Sequence, residues 1–254
     1  MQRFIDKVVI VTGAGSGIGE AAARRFSQEG ACVVLCGRSK GKLAKVAADL
    51  PPDKTMVFVA DVCRFEQVKA LVAKTVKNFG SLHVLVSNAG VATMGTVVSG
   101  RRSDWEKIMA INAGGVFHGA RAAMAHLMLS RGCIVNVASV SGLGGDWGLA
   151  FYNASKGAVV NLTRAMALDH GKDGVRVNSV CPSLTLTPMT KNIKKSAQAM
   201  ARFDARIPLG RGAQPSEVAA AIAFLASDDA SFITGVNLPV DGGVTASNGQ
   251  PALD

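Results

Sequence analysis

The sequence predicts a single doubly wound α/β domain, in which helices cover both faces of a parallel sheet. Short, almost wholly apolar segments alternate along the chain with longer helical patterns. Continuous apolarity over a short run is typical of strands that are buried on both faces, as in a parallel sheet. Regular alternation of such strands with helices indicates right-handed βαβ units. No linker, low-complexity tract or internal repeat divides the chain, so residues 1–254 are expected to form one domain.

Each element follows from a local pattern of residues. Apolar, β-branched runs predict strands at 8–12, 31–36, 56–60, 84–87, 133–138 and 175–180, with a last strand near 237–240. Helical patterns occupy about 17–29, 40–49, 64–79, 103–129, 151–170 and 215–227. Pro51-Pro52 ends the second helix and Pro182 closes the sixth strand, because the residue before a proline avoids the helical conformation.

Composition excludes several classes of protein. With 48% hydrophobic and 18% charged residues, the chain is not an intrinsically disordered polyelectrolyte. No apolar, uncharged stretch reaches about 18 residues. Asp6 and Lys7 precede any long apolar run, so we expect neither a membrane span nor a signal peptide, and a cytoplasmic location. The five cysteines lack CxxC spacing, which indicates reduced core residues and no metal site.

The formal net charge of +10 raises nucleic-acid binding as an alternative. The basic residues are dispersed, however, and Arg24-Arg25, Arg101-Arg102 and Lys194-Lys195 are the longest clusters. Aromatic residues make up only 5% of the chain. We therefore interpret the charge as a solvated surface that favours anionic small molecules and expect no nucleic-acid partner. Steeply salt-dependent retention on DNA would instead support nucleic-acid binding.

A glycine-rich turn follows the first predicted strand and opens the first predicted helix. Glycines let the backbone approach a pyrophosphate without Cβ clashes, and free N–H groups at a helix N-terminus attract phosphates. Strand, turn and helix together predict a dinucleotide site. The residues expected to bind are Gly13, Ser16, Gly17, Ile18 and Gly19.

The end of the second strand predicts which dinucleotide binds. An acidic residue there would hold the ribose 2′-hydroxyl of NAD, but this chain has Gly37-Arg38-Ser39. Arg38 can bind a 2′-phosphate through two N–H groups, and Ser39 adds a hydroxyl, so we expect NADP(H) in preference to NAD(H). An exposed loop arginine without this role is the alternative. The carboxyl ends of the third and fourth strands supply further cofactor contacts, expected at Asp61, Val62, Asn88, Ala89 and Gly90.

Four polar residues near the later strands predict chemistry at a carbonyl group. Reducing a ketone requires a proton donor beside the carbonyl oxygen and a hydride donor at its carbon. Tyr152 and Lys156 share a helix face at i and i+4, and a lysine ammonium there, together with the positive nicotinamide ring, is expected to lower the pKa of the phenol. Ser139 is expected to hydrogen-bond the carbonyl oxygen. Asparagine is unfavourable inside a helix, so Asn112 is expected to have a functional side chain. We expect it to anchor a water that links Lys156 to solvent.

Taken together, these motifs resemble those of the short-chain dehydrogenase/reductase family over essentially the whole chain. The matching segments are Thr12–Gly19, Asp61, Asn88-Ala89-Gly90, Asn112, Ser139, Tyr152-x-x-x-Lys156 and Val240-Asp241-Gly242-Gly243. The resemblance implies a Rossmann-like fold with a seven-stranded parallel sheet, a catalytic Asn-Ser-Tyr-Lys tetrad and a homotetramer. It also implies that Lys156 and Tyr152 contact the cofactor, and that Pro182, Thr185 and Thr187 lie beside the nicotinamide. Ser183 and Ser87 depart from the family's usual glycine and asparagine.

A narrower similarity lies in Ala138–Trp147 and in the tail Thr245–Pro251. Both are similar to the acetoin reductase/meso-2,3-butanediol dehydrogenase branch of the family. Members of that branch typically use NAD and have an aspartate in place of Gly37, so here the residues and the resemblance point to different cofactors. The branch also suggests that Gln250 reaches a neighbouring subunit's pocket; a tail that frays in solvent is the alternative.

The leading prediction is an NADP(H)-dependent carbonyl reductase and secondary-alcohol dehydrogenase for small to medium neutral ketones, diketones or hydroxyketones such as diacetyl and acetoin. Residues 183–212 are polar and weakly periodic, and we expect a substrate lid there rather than an ordinary connector. One alternative is a 3-oxoacyl-thioester reductase that acts on acyl carrier protein. Another is a non-catalytic NADP(H) sensor or scaffold. The expected pocket residues are Val140, Leu143, Trp147 and Met189, with Ile193 or Phe203 as further candidates.

Overall fold

Seven parallel strands form the centre of the molecule. The computed structural model describes residues 2–250, and its sheet has the strand order β3-β2-β1-β4-β5-β6-β7. The strand order reverses between β1 and β4, which opens a crevice at the carboxyl ends of the strands. This confirms the predicted doubly wound, Rossmann-like α/β fold. The strands are β1 Val8–Thr12, β2 Cys32–Gly37, β3 Thr55–Val59, β4 Val84–Ser87, β5 Cys133–Val137, β6 Arg176–Pro182 and β7 Asn237–Val240.

Helices cover both faces of this sheet. They are α1 Gly17–Gln28, α2 Lys40–Ala47, α3 Phe65–Phe79, α4 Arg102–Ile108, α5 Gly115–Ser130, α6 Ala150–His170, α7 Lys191–Lys194, α8 Ala197–Arg206 and α9 Pro215–Ala226. The prediction of one uninterrupted helix over 103–129 was wrong, because a wide π-helical turn, Met109–Gly114, separates α4 from α5. Within the described residues, no helix combines the length and apolarity needed to cross a membrane.

Alternate residues of the central strands enter two different cores. Val9 and Val11 of β1 pack in a core with residues of α1, α2 and α9. Ile10, between them, packs in a second core with residues of α3, α5 and α6. All five residues of β1 are buried. Burial on both faces explains why the strands of this chain are continuously apolar, since neither side of the sheet meets water.

The segment predicted as a lid leaves and re-enters the domain at one point. Leu186 N donates to Ala213 O at 2.9 Å, and Ala213 N donates to Leu184 O at 2.8 Å. Between these hydrogen bonds the chain forms α7 and α8, and α8 buries none of its residues. The lid function itself stays a prediction.

None of the five cysteines takes part in a disulfide bond or a potential metal site among the residues that the structure describes. Cys36, Cys133 and Cys181 are buried, Cys32 and Cys63 are half-buried, and all five are free thiols. Across residues 2–250 no three His, Cys, Asp or Glu side chains cluster closely enough to hold a metal ion.

Candidate active site

A cleft of about 310 Å³ lies at the carboxyl ends of the strands, where the strand order reverses. It contains both the residues predicted for cofactor binding and those predicted for catalysis. The first part of the segment 183–212, predicted as a lid, also lines the cleft. The predicted residues that line the cleft are Gly13, Ser16, Gly17, Ile18, Arg38, Asp61, Val62, Asn88, Ala89, Gly90, Ser139, Tyr152, Lys156, Pro182, Thr185, Thr187 and Met189.

Other predicted residues lie elsewhere. Asn112 is buried behind the cleft wall, and Ser39 is exposed at the start of α2. Gly19 packs beneath the glycine-rich turn, where an added Cβ would lie 2.4 Å from Gly13 O. The predicted substrate-pocket residues Val140, Leu143 and Trp147, and the further candidates Ile193 and Phe203, do not line this cleft. Trp147 is 96% exposed, since no described residue covers its side chain.

Several residues that line the cleft were not predicted. They lie beside predicted residues at the strand ends, next to Asn112 in the turn Met109–Gly114, and in the segment after β6, so the signal for each was its position beside a motif. The additional lining residues are Gly37, Ala60, Val91, Ile111, Val137, Ala138, Ser183, Pro188 and Thr190.

The glycine-rich turn is held against the end of β4 by Thr12. Thr12 Oγ1 accepts hydrogen bonds from the backbone N–H groups of Asn88 (2.9 Å) and Ala89 (3.1 Å). Gly13 has φ +67°, and a Cβ there would lie 2.8 Å from Asn88 Nδ2. Only glycine fits this position, because both the backbone conformation and the space exclude a side chain.

The N-terminus of α1 meets the requirements of a phosphate site. Ser16 precedes the helix without capping it through its side chain, so the first backbone N–H groups of α1 lack a side-chain acceptor there. Ser16, Gly17 and Ile18 line the cleft at this point. The helix dipole and these N–H groups favour an anion, so the turn fits the pyrophosphate of a dinucleotide.

Arg38 stands at the opposite edge of the cleft, directly after β2. Its side chain is exposed and forms no ion pair with the residues that the structure describes. Asp61 is the acidic side chain that lines the cleft, and its Oδ1 accepts from Cys63 N at 3.0 Å. An exposed guanidinium with no internal partner keeps its N–H groups available to an external anion.

The wide turn between α4 and α5 positions Asn112. Asn112 Nδ2 donates to Val91 O (2.9 Å) and Ser155 Oγ (3.0 Å), and its Oδ1 accepts from Val91 N (2.9 Å). The side chain is 1% exposed. It therefore ties the loop after β4 to α6, the helix that carries Tyr152 and Lys156.

Lys156 is buried at the floor of the cleft. Its Nζ donates to Val137 O at 2.7 Å and lies 5.6 Å from the ring centroid of Tyr152. Burial lowers the pKa of Lys156 to about 8, because the apolar surroundings disfavour the ammonium. The group can therefore gain and lose a proton near neutral pH.

In the protein without bound nicotinamide, the pKa of Tyr152 is raised above its usual value. Burial raises the pKa of the phenol, a hydrogen bond with Ser139 lowers it, and the charge of Asp146 raises it again. Without a bound cofactor, burial has the largest of these three effects because it disfavours the charged phenolate, so the pKa is raised overall. A neutral phenol is a proton donor, which is the form required for ketone reduction.

The comparisons with known proteins identify the family. A family model described as Enoyl-(Acyl carrier protein) reductase matches residues 13–245. Over 251 residues the chain is 55% identical to meso-2,3-butanediol dehydrogenase of Serratia marcescens, with 99% of each chain covered. The chain belongs to the short-chain dehydrogenase/reductase family. The resemblance to the acetoin reductase/meso-2,3-butanediol dehydrogenase branch is confirmed as well.

Two further matches show the breadth of the family around this chain. It is 38% identical to 3-oxoacyl-(acyl-carrier-protein) reductase of Thermotoga maritima, covering 95% of this chain and 99% of the relative. The crystal structure of gox2181 superposes with a TM-score of 0.93 at 31% identity, covering 97% of this chain and 98% of the other. This short-chain dehydrogenase/reductase is an oxidoreductase that interconverts secondary alcohols and ketones with a nicotinamide cofactor.

Proposed function

We propose that this short-chain dehydrogenase/reductase is an NADP(H)-dependent carbonyl reductase for small to medium neutral ketones, diketones and hydroxyketones such as diacetyl and acetoin. The observation that carries the proposal is the placement of Tyr152, Lys156 and Ser139 in one cleft with the glycine-rich turn. The relative that is 55% identical is a dehydrogenase of meso-2,3-butanediol, whose oxidation yields a hydroxyketone.

In the proposed reaction each polar side chain has one task. Tyr152 donates its phenolic proton to the carbonyl oxygen during reduction, and Ser139 holds that oxygen. A bound nicotinamide supplies the hydride in reduction and accepts it in oxidation. Lys156, with a pKa of about 8, passes protons between Tyr152 and the interior of the site.

The proposed proton path continues from Lys156 to Asn112. Both Asn112 Oδ1 and Lys156 Nζ adjoin the space beside Gly90, where a Cβ would lie 3.3 Å and 3.7 Å from them. Gly90 leaves this space open, and Asn112 Oδ1 has a lone pair beyond the one that accepts from Val91 N. A water between these two polar atoms would find partners on both sides, as the predicted relay requires.

The proposed NADP(H) preference depends on Arg38 and Ser39. Both are exposed beside the end of β2, and no acidic residue follows that strand to repel a 2′-phosphate. A guanidinium can form two parallel charge-assisted hydrogen bonds to a phosphate, which a hydroxyl group of NAD cannot receive with the same strength.

We further propose the homotetramer that family membership implies. Large apolar side chains are exposed on α4 and α5: Leu129 is 85% exposed, Phe117 48% and Trp105 40%. Such residues are expected at interfaces between subunits. Gln250 is exposed at the end of the described chain, and residues 251–254 of the tail lie outside it. Sedimentation equilibrium tests the assembly, and deletion of 247–254 without a change in ketone kinetics would exclude a role for the tail.

The proposed activity is tested by following absorbance loss of NADPH, and separately of NADH, on diacetyl, acetoin and a bulky aryl ketone. We expect NADPH oxidation on the two small substrates and its loss by about 10²–10⁴-fold in Tyr152→Phe. Activity with NADH alone would contradict the assignment of Arg38. Cofactor binding without turnover on any ketone would move the assignment to a sensor or scaffold.

The second candidate function is 3-oxoacyl-thioester reduction. It is favoured by the 38% identical relative, a 3-oxoacyl-(acyl-carrier-protein) reductase, and by the net charge of +10, which suits an acidic carrier protein. α7 also places Lys191 and Lys194 within the segment that reaches the cleft. Rates on an acetoacetyl thioester that equal those on diacetyl would establish this alternative.

A further inference from the structure

A second cleft lies at the edge of the sheet opposite the catalytic site, beside the amino ends of the strands. Its volume is about 680 Å³, within the range of sites for small molecules. A five-residue strand such as β5 separates the two edges by about 15 Å. The proposed reaction uses no residue of this amino-edge cleft. The basic residues that line it are Arg3, Lys7, His83, Arg131 and Arg176.

The order of the strands explains why these basic residues lie together. Lys7 precedes β1, and His83 precedes β4. Arg131 lies just before β5, and Arg176 is the first residue of β6. The strands β1, β4, β5 and β6 are neighbours in the sheet, and Arg176 N donates to Gly132 O at 3.2 Å. Adjacent strands are about 4.8 Å apart, so the four basic residues form a row of about 15 Å.

Arg176 is held in place by neutral groups. Its Nη1 donates to Leu225 O at 2.7 Å, and its Nη2 donates to Ser227 O at 3.0 Å. A longer contact joins Nη1 to Ile233 O at 3.4 Å. Carbonyl oxygens carry no net charge, and a guanidinium has five N–H groups. Arg176 forms no ion pair with the residues that the structure describes, so its charge and its remaining N–H groups stay available to an external anion.

Arg131 adopts a backbone conformation that does not favour arginine. Its φ is +48°, in the left-handed region, at the residue that ends α5, where glycine or asparagine is usual. Its stem lies across Gly174, where a Cβ would lie 3.1 Å from Arg131 Cγ. A cation within the last turn of α5 would stabilise the helix end without this conformation. The position therefore indicates a role for the guanidinium, which has no ion pair among the described residues.

Lys7 and His83 supply donors at the other end of the row. His83 Nδ1 accepts from Val8 N at 2.9 Å, which places the proton of the neutral ring on Nε2. Burial lowers the pKa of His83, and the charge of Lys7 lowers it further, so the two side chains are close. Lys7 is half-buried and forms no ion pair within the described part of the chain.

The negative groups at this cleft do not balance the positive ones. Arg3 is neutralised, because Glu29 and Asp229 both accept hydrogen bonds from it. One acidic side chain, Asp228, lines the cleft and is exposed. Helix C-termini that face this edge add partial negative charges, whose effect decays within about one turn. The three cations without an ion pair therefore leave an excess of positive charge.

We propose that the amino-edge cleft binds an oxyanion of the phosphate type, either free phosphate or the phosphate group of a small phosphomonoester. A phosphate dianion can accept hydrogen bonds from several guanidinium and ammonium groups at once. A carboxylate carries a single charge and fewer acceptor oxygens, so it matches the excess charge less well. The inference does not depend on the proposed function, because the two clefts lie at opposite edges of the sheet.

The class of ligand is tested by isothermal titration calorimetry with phenyl phosphate, inorganic phosphate and benzoate at constant ionic strength. We expect both phosphates to bind about tenfold more tightly than benzoate, the effect of one further charge-assisted hydrogen bond. The lower Kd of the two phosphates then identifies the source: phenyl phosphate stands for a phosphomonoester and inorganic phosphate for the free ion. Equal or tighter binding of benzoate would overturn the assignment to phosphate.

Lys7→Gln and Arg131→Asn test the location. Each removes one charge without breaking an internal ion pair, and asparagine readily adopts the left-handed conformation at position 131. We expect each to raise the Kd of both phosphates by about tenfold or more. Lys69→Gln is the matched control, since it removes the same charge from an exposed position on α3 that lines neither cleft, and its Kd should equal that of the unchanged protein.

The cofactor cleft must be excluded as the place of binding, because its glycine-rich turn also favours phosphate. Neither Arg38→Gln nor saturating NADPH or NADH is expected to change the Kd of the phosphates. Displacement by either dinucleotide would overturn the inference, as would an equal rise in Lys69→Gln or the absence of saturable binding to the unchanged protein. If one amino-edge variant does not fold, the other still tests the site, because each removes a different donor.

Discussion

The two ends of the cleft differ in how their polar side chains are held. At the catalytic end, Asn112 is 1% exposed and Lys156 5% exposed, and both are hydrogen-bonded to backbone groups of neighbouring elements. At the opposite edge, which is proposed to bind the adenosine, Arg38 lines the cleft and the neighbouring Ser39 lies just outside it; both are exposed, and Arg38 has no ionic partner among the described residues.

Because of this difference, substitutions at the catalytic end are expected to destabilise the fold more than substitutions at Arg38 or Ser39. A substitution at the catalytic end leaves buried polar groups without partners, which is costly to the fold as well as to the chemistry. A substitution at Arg38 or Ser39 disturbs no internal contact. Family membership therefore determines the reaction class more firmly than it determines the choice between NADP(H) and NAD(H).

The largest expected effect is the loss of activity in Lys156→Met. Without the buried ammonium, Tyr152 loses its partner for proton exchange, and we expect kcat for acetoin reduction to fall by about 10²–10⁴-fold. Steady-state kinetics with NADPH measure the effect. A variant that retains more than a tenth of the original kcat would show that the catalytic end tolerates change.

The free energy of unfolding of Lys156→Met is expected to depend on pH differently from that of the unchanged protein. Burial lowers the pKa of Lys156 to about 8, so between pH 8 and about 10.5 the unfolded chain binds a proton that the folded protein has released. Stability therefore rises with pH in that window, by on the order of 3 kcal/mol for this group. Denaturant unfolding at pH 7.5 and pH 10 should show that this component of the rise is missing from Lys156→Met.

Arg38→Ala should break the NADP(H) preference without harming the catalytic end. A charge-assisted pair of hydrogen bonds is lost, so we expect KM for NADPH to rise by about 10–100-fold while KM for NADH is unchanged. Equal changes with both cofactors would contradict the assigned role.

The complementary substitution is Gly37→Asp, which places a carboxylate at the end of β2. A Cβ at Gly37 would lie 3.4 Å from Leu43 Cδ2, the end of a flexible side chain, so the fold can accept it. We expect KM for NADH to fall and KM for NADPH to rise, because the carboxylate accepts from a ribose hydroxyl and repels a phosphate.

A smaller effect, on stability rather than on cofactor choice, is expected for Asn112→Ala. Val91 N, Val91 O and Ser155 Oγ would each lose a partner, and we expect the free energy of unfolding to fall by about 2 kcal/mol. Urea denaturation measures the change. An unchanged midpoint would show that the rigidity of the catalytic end comes from apolar packing alone.

The smallest effect is expected for Ser39→Ala. The neutral hydroxyl contributes one hydrogen bond to the 2′-phosphate, so KM for NADPH should rise about fivefold, with KM for NADH unchanged. A larger rise than in Arg38→Ala would reverse the order of the two residues at the adenosine end.

Sequence patterns predicted the sheet more accurately than the segments around the cleft. The bounds of β1 and β4 were predicted to the residue, because their apolar runs are bordered by polar or glycine residues. α8 was missed because it is only ten residues long, lies in a mainly polar segment and buries none of its residues in the core.

Individual side chains near the substrate were harder to predict than the catalytic motifs. Trp147 was predicted to line the pocket because it is apolar and close to Ser139 in sequence, yet it is 96% exposed. Apolar character alone does not tell which neighbour covers a side chain. The opposing effects on the pKa of Tyr152 likewise depend on burial, which only the folded structure shows.

The number of residues in the wide turn Met109–Gly114 determines which face of α5 points toward the sheet. Each residue of a regular helix advances the side chains by about 100°, so a turn that holds one extra residue rotates everything after it by that angle. Removing a single residue here would give a smoother helix but turn the buried face of α5, including Ala120 and Ala123, away from the sheet. Natural variants of this enzyme should therefore tolerate exchanges of residue type in this turn far better than any change in their number.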